Sequence, residues 1–312
     1  MRQKILMMGP IPAAQMQVLE ENYAVTRLWQ ESDPEKALGG VKDDVTAIVS
    51  TAFGKVSAKL IHALPNLEII SHFGVGYDSI DIAAARQRGI VVTNTPDVLT
   101  DDTADMGMAL TLAVFRRIVE GDIYVRSGQW AKKGAMPLGR ALRGRRMGIV
   151  GLGRIGQAVA QRAAAFGVDI AYTGRQKKAG VDWAFYPDIK ALAEACQILM
   201  VCCAYTPETH HLVDMPVLKA LGREGVVVNI ARGKIIDEQA LIDALQSGLI
   251  AGAGLDVFEN EPDVPSSLCR LDNVVLQPHQ GSATHETRAA MAQLVVDNLR
   301  MYFEKAEVLT PV

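Results

Sequence analysis

Six residues constrain this chain more than any others. Gly151-Leu152-Gly153-Arg154-Ile155-Gly156 follows a short apolar run at 147–150 and opens an alanine-rich helical pattern at 157–166. Three glycines at that spacing between a strand and a helix specify a backbone. Gly151 allows a tight turn, Gly153 lets the main chain approach a pyrophosphate, and Gly156 lets helix and strand pack closely. The helix then meets the anion with unpaired N–H groups and the positive end of its dipole. The motif predicts a parallel α/β sheet that holds a dinucleotide at the carboxyl ends of its strands.

The rest of the chain has the matching rhythm. Short β-rich apolar runs at 4–8, 45–50, 67–73 and 90–94 alternate with helical patterns at 13–21, 58–64 and 81–88. A second set of strands is expected at 146–150, 169–173, 198–203, 226–229, 252–256 and 274–277, with helices between them. Alternation of this kind gives βαβ units and doubly wound parallel sheets. A boundary falls near residue 98, where Thr100-Asp-Asp-Thr103 offers caps for a long helical pattern at 104–120. The last helical pattern, 286–303, can carry the chain back to the first domain. The expected domains are therefore 1–98 with 286–312, discontinuous, and 99–285, which alone carries the glycine fingerprint. A length of 312 residues suits two domains at roughly 150 residues each.

Composition removes several function classes. Thirty-two basic against thirty-five acidic residues leave a net charge of −3, no electrostatic footprint for a phosphate backbone or an anionic bilayer. The apolar stretch 106–114 falls short of the roughly 20 residues of a membrane span. Neither nucleic acid nor membrane is an expected partner. The four cysteines, Cys196, Cys202, Cys203 and Cys269, form no CxxC pair, and the first residues carry no apolar leader, so a reduced, cytoplasmic protein is expected.

In NAD-binding versions of the fingerprint, an acidic residue about 20 positions on takes the ribose hydroxyls. Here the strand at 169–173 ends in Thr173-Gly174-Arg175-Gln176-Lys177-Lys178, and Asp169 sits at its other end. Without that carboxylate nothing repels a 2′-phosphate. Arg175, Lys177 and Lys178 can pair with one while Thr173 donates a hydrogen bond. NADP(H) is therefore expected over NAD(H); a merely solvated basic turn is the alternative.

Three further segments bring polar groups to the carboxyl edge of the second sheet. They are Asn229-Ile-Ala-Arg232-Gly233, Asp256-Val-Phe-Glu-Asn-Glu261-Pro262 and Gln277-Pro-His279-Gln-Gly-Ser282. In this order, and with Phe73-Gly-Val-Gly-Tyr-Asp-Ser-Ile-Asp81, Thr95-Pro-Asp-Val-Leu-Thr100 and Arg232-Gly-Lys-Ile-Ile-Asp-Glu238, the chain resembles the D-isomer-specific 2-hydroxyacid dehydrogenases over nearly its whole length. Within that family it is most similar to NADPH-preferring glyoxylate/hydroxypyruvate and hydroxyphenylpyruvate reductases.

The resemblance implies a Rossmann cofactor domain and a flavodoxin-like substrate domain with a cleft between them. It implies catalytic roles for Arg232, which orients the substrate, for Glu261 as partner carboxylate and for His279 as acid/base. The chemistry suits those residue types. Reduction of a 2-oxo acid builds negative charge on the carbonyl oxygen, so a proton donor tuned near neutral pH is needed beside it. A carboxylate orients such a histidine and favours its charged form, and a guanidinium holds the substrate's carboxylate and carbonyl together. Glu259 is the nearer decoy, but the family pattern places the functional carboxylate directly before the proline.

By the same resemblance, Val75 and Gly76 present backbone N–H groups to the substrate carboxylate, and Phe53 and Gly54 contact the substrate side chain. Thr103 lies near the nicotinamide, Arg154 and Ile155 at the pyrophosphate, and Ile230, Asp256 and Gly281 around the carboxamide. Cys202 and Cys203 face the cofactor as small hydrophobes. No metal is expected. Gln280, Ser79 and Ala204 depart from the family's usual residues without removing a needed charge or proton. The segment 122–142, with Trp130 and Met136 in an otherwise basic stretch, is expected to be the arm of a homodimer. The alternatives are a 3-phosphoglycerate dehydrogenase-like NAD enzyme and a non-catalytic, dinucleotide-sensing binding protein.

Overall fold

Strands and helices alternate along residues 2–312, the part of the chain that the computed structural model describes. The described residues up to Leu99 pack with Ser282–Val312 into one unit, and Thr100–Gly281 form a second.

In the first unit, β1 (Lys4–Met7), β2 (Ala24–Arg27), β3 (Val45–Thr51), β4 (Ile69–Phe73) and β5 (Val91–Thr93) pair in parallel in the order β2-β1-β3-β4-β5. This is the flavodoxin-like order, whose switch point lies between β1 and β3. The central strands β3 and β4 are rich in β-branched residues and almost wholly buried, as strands covered on both faces must be. The helix His285–Lys305 packs on β4 within this unit.

The second unit contains β6 (Arg146–Val150), β7 (Asp169–Thr173), β8 (Ala184–Phe185), β9 (Ile198–Val201), β10 (Val226–Asn229), β11 (Gly252–Leu255) and β12 (Val274–Leu276). All pairs are parallel, in the order β12-β11-β10-β9-β6-β7-β8. The order reverses between β6 and β9, which puts the glycine turn after β6 at the switch point where open α/β sheets bind ligands. One face is covered by the helices Thr100–Arg116 and Arg154–Ala165, the other by Ile189–Glu194, Met215–Leu221 and Glu238–Gln246. Side-chain caps at Asp188, Asp214 and Asp237 start those last three helices, each worth about 1 kcal/mol.

Three sequence expectations shift. The helix expected through residue 120 stops at Arg116, because Arg117 takes a left-handed φ of 53° and forks onto Glu120 at 2.6 and 2.7 Å. Two short helices, Ile118–Arg126 and Gln129–Lys133, follow where an irregular arm is expected. The edge strands β2 and β8 have no counterpart in the sequence reading, since four and two residues are too short to display a period. No helix among the described residues is long and apolar enough to cross a membrane.

Candidate active site

The glycine fingerprint forms the turn its spacing demands. Gly151 has φ 93°, and a Cβ there would lie 2.6 Å from the Cα of Cys203, so the loop after β9 closes against the turn. A Cβ on Gly156 would strike the carbonyl oxygen of Gly151. A Cβ built on Gly153 would meet nothing within 4 Å, which leaves open space over the start of the helix Arg154–Ala165. A pyrophosphate fits that cradle: the backbone is bare where the ligand would lie and tight where strand meets helix. Arg154 is exposed there, and Ile155 packs into the core. Burial pushes the thiols of Cys202 and Cys203 up, the latter to about 11, so neither is a thiolate at neutral pH.

At the end of β7, Thr173 is buried while residues 174–180 are all exposed, with Arg175, Lys177 and Lys178 among them. Gly174 has nothing within 4 Å of its Cβ position. Asp169, at the far end of the strand, is ion-paired with Arg146 at 2.6 Å. No carboxylate from this strand therefore reaches the turn.

Arg232 follows β10 and is placed by its neighbours. The buried Asn229 donates through Nδ2 to the Arg232 carbonyl at 2.9 Å and accepts from the Ala231 N–H at 3.0 Å. A Cβ on Gly233 would collide with the carbonyl group of Phe258 and the nitrogen of Glu259. Only glycine lets the main chain of Arg232–Gly233 lie on the turn that carries Glu261.

That turn is braced from two sides. The Glu261 carboxylate accepts from the Phe258 N–H through Oε1 at 2.9 Å, and Glu238 Oε2 accepts from the Glu259 N–H at 3.2 Å. Of its two glutamates, Glu259 turns to His211 at 3.0 Å, whereas Glu261 Oε2 meets His279 Nδ1 at 2.7 Å. A carboxylate only accepts, so Nδ1 carries the proton and Nε2 lies on the opposite side of the ring. Burial pushes the Glu261 carboxyl up, but the hydrogen bond from His279, its charge, the Phe258 amide and the Arg232 charge outweigh that and hold it below the usual range.

His279 adopts a left-handed φ of 55°, a conformation that costs a non-glycine residue of order 1–3 kcal/mol. Its N–H donates to the carbonyl oxygens of Asp256 and Gln277 at 2.8 and 3.0 Å. The buried Asp256 carboxylate accepts from the next two amides, Gln280 at 2.6 Å and Gly281 at 2.8 Å. Burial raises the Asp256 carboxyl, and those two amides oppose the rise. A Cβ on Gly281 would sit 2.9 Å from Asp256 Oδ2 and 3.4 Å from Thr103 Cγ2. Thr103, Asp256 and Gly281 thus meet at one point, and Ile230 is buried at the end of β10 beside Gly107. Asn229 and Glu238 act as supports that no residue pattern announces, because their bonds serve the main chain, and His211 is the partner of Glu259.

In the first unit, the carbonyls of Gly74, Val75 and Gly76 accept from Thr95 N–H at 2.9 Å, Asn94 Nδ2 at 2.9 Å and His72 Nε2 at 3.0 Å. His72 is fully buried, and its Nδ1 accepts from the Ser50 hydroxyl at 2.8 Å, so this histidine is the post on which the loop rests. Gly54 is tucked under Met8, while Phe53 is 73% exposed and forms no part of the core. In the segment 122–142 of the second unit Trp130 is 63% exposed and Met136 is half-buried beside Gly121.

Known proteins of similar sequence and fold point to one family. Residues 108–281 match the profile of the D-isomer specific 2-hydroxyacid dehydrogenase NAD binding domain. The chain is 48% identical to glyoxylate/hydroxypyruvate reductase A of Arabidopsis thaliana over 99% of its length and 98% of the relative's. It is 47% identical, with the same coverage, to a hydroxyphenylpyruvate reductase of Plectranthus scutellarioides. The structure is similar to that of an NADPH-dependent glyoxylate/hydroxypyruvate reductase of Sinorhizobium meliloti in complex with NADP and malonate, at a TM-score of 0.93 and 44% identity, covering 100% of this chain and 97% of that one. With a two-sheet fold, a glycine turn at the switch point and a carboxylate-paired histidine on the same sheet edge, the chain belongs to the D-isomer specific 2-hydroxyacid dehydrogenase family of NAD(P)-linked oxidoreductases.

Proposed function

We propose that this chain reduces small 2-oxo acids to D-2-hydroxy acids, with glyoxylate and hydroxypyruvate as first substrates, 4-hydroxyphenylpyruvate as a further one, and NADPH preferred over NADH. The observation that carries this reading is the 2.7 Å pair of His279 and Glu261 on the sheet edge that also bears the glycine turn.

The chemistry that the dinucleotide supplies when bound is a hydride. Gly151, Gly153, Arg154, Ile155 and Gly156 would hold its pyrophosphate, Thr103, Cys203, Ile230, Asp256 and Gly281 would line the nicotinamide end, and Thr173, Gly174, Arg175, Lys177 and Lys178 would take the 2′-phosphate. Arg232 pairs with the substrate carboxylate and polarises the 2-oxo group, stabilising the charge that develops on oxygen. His279 gives that oxygen a proton from Nε2, while Glu261 accepts from Nδ1–H and orients the ring. In the first unit the inward-turned carbonyls of Gly74 and Val75 bear on the amide direction. In a trans peptide the N–H points opposite the C=O, so the N–H groups of Val75 and Gly76 face outward, an arrangement suited to a carboxylate. Phe53 and Gly54 are read as side-chain contacts of the substrate.

The first unit is thus read as the substrate domain and the second as the cofactor domain. The exposed apolar side chains Ile118, Ile123, Trp130 and Leu138 suit a two-fold interface, and we read the protein as a homodimer. Its free cysteines suit a reducing, cytoplasmic setting. The reading is tested by the initial rates of NADPH and NADH oxidation with these acids; activity confined to NAD and a phosphorylated acid would replace it with the phosphoglycerate-type alternative.

A further inference from the structure

Residues 174–180 form an exposed run, and among the described residues one hydrogen bond ties it to the sheet. The Lys178 N–H donates to the Tyr172 hydroxyl at 2.9 Å. Tyr172 itself is buried in β7, with its ring against Phe185 at 5.3 Å between centroids. A buried tyrosine hydroxyl needs a partner, and the turn supplies it. The chain leaves β7 at Thr173 and is pinned back to that strand six residues after Tyr172, so Gly174, Arg175, Gln176 and Lys177 span a closed loop over the strand's end.

We propose that the Tyr172 hydroxyl is a positioning group for nucleotide selectivity: it touches no nucleotide but holds the basic turn in the shape that receives a 2′-phosphate. The inference rests on the reading of that turn as the 2′-phosphate site. An unpinned, fully exposed turn must lose its conformational freedom when the phosphate arrives, and that cost is subtracted from binding. Arg175 and Lys177 supply the charge, and Tyr172 lowers the cost of arranging them. NADH has no 2′-phosphate, and its pyrophosphate contacts lie at 151–156, outside the pinned loop. Removing the hydroxyl therefore penalises NADPH selectively.

The test uses Tyr172→Phe, which keeps the ring against Phe185, together with Arg175→Ala and the double variant. Dissociation constants for NADPH, NADH and adenosine 2′,5′-bisphosphate are measured by titration without substrate. Tyr172→Phe is expected to weaken NADPH and the bisphosphate roughly 3- to 10-fold, as the loss of one hydrogen bond predicts. NADH should change less than about twofold, and amide exchange of residues 174–180 should accelerate. In the Arg175→Ala background the same change should cost NADPH little more, because the turn then has less charge to place. Equal weakening of both nucleotides, an unchanged NADPH affinity, or additive losses in the double variant would overturn the inference. If Arg175→Ala itself leaves the NADPH to NADH ratio unaltered, the 2′-phosphate reading fails and takes this inference with it. If Arg175→Ala shifts the ratio and Tyr172→Phe does not, only the role of Tyr172 fails.

Discussion

His279 and Glu261 meet at 2.7 Å through Nδ1 and Oε2, and each is held in place by bonds to the main chain. Glu261 also accepts from the Phe258 amide, and the His279 N–H is shared between two carbonyls while Asp256 clamps the two residues that follow. The pair is preorganised, so the cost of orienting the imidazole is met in folding.

His279→Ala should lower kcat by about 10²- to 10⁴-fold, the usual contribution of a positioned acid. NADPH affinity should stay within about twofold, since no glycine-turn contact is touched. Stopped-flow turnover beside equilibrium titration separates the two; a parallel loss of both would make His279 structural.

Glu261→Gln keeps the shape and removes the charge. The Glu261 carboxyl sits below its ordinary range when folded, so its contribution to stability is complete above the unfolded value, near 4.3, and is lost as pH falls through the lowered folded value. The stability gap between wild type and variant should therefore be widest at neutral pH and shrink on acidification. Denaturant melts from pH 7 to pH 3 check this; a gap that widens toward low pH would contradict it.

Much of this site was legible in the sequence, and the reasons are local. Gly151, Gly153 and Gly156 announce a backbone shape, and Arg232, Glu261 and His279 each lie within a few residues of a strand end. The supports were not legible, because they join distant residues. Ser50 on β3 meets His72 on the neighbouring β4, Glu238 reaches the Glu259 amide from the start of a helix, and nothing in either stretch announces the partner. Arg117 also misled, since an arginine is a good helix former and nothing in its sequence neighbourhood announces a left-handed φ. Phe53, a large aromatic residue that ordinary patterning would bury, stands in solvent.

Asp256→Asn leaves one oxygen where two accept, so the Gln280 and Gly281 amides cannot both be satisfied. The loss should be about 1–3 kcal/mol of stability. A fall in kcat of at least about tenfold should accompany it, since the left-handed His279 relaxes without its clamp. Crystallography of the variant should find the 279–281 segment displaced; an unmoved segment with full activity would refute the clamp.

Gly233→Ala places a methyl group against the Phe258 carbonyl and must push the Arg232 and Glu261 segments apart. Destabilisation of roughly 1–3 kcal/mol, typical of overpacking, should come with a rise in KM for the oxo acid. Thermal melts and steady-state kinetics on the same preparation test both halves.

The arm should make the protein a dimer, twice its 33.7 kDa chain mass in sedimentation equilibrium. Leu138→Asp, on a side chain 92% exposed in the single chain, should shift it toward monomer while leaving the glycine-turn affinity for NADH intact. A wild-type monomer would remove the arm's assigned role.

The central claim is tested most directly by the loss of nicotinamide absorbance when the wild-type protein meets NADPH or NADH with glyoxylate, hydroxypyruvate or 4-hydroxyphenylpyruvate. Rapid oxidation of NADPH, and slower oxidation of NADH, is the predicted result. Tight nucleotide binding with no oxidation of either nucleotide by any of these acids would contradict it, and would leave a protein that senses the dinucleotide and transfers nothing.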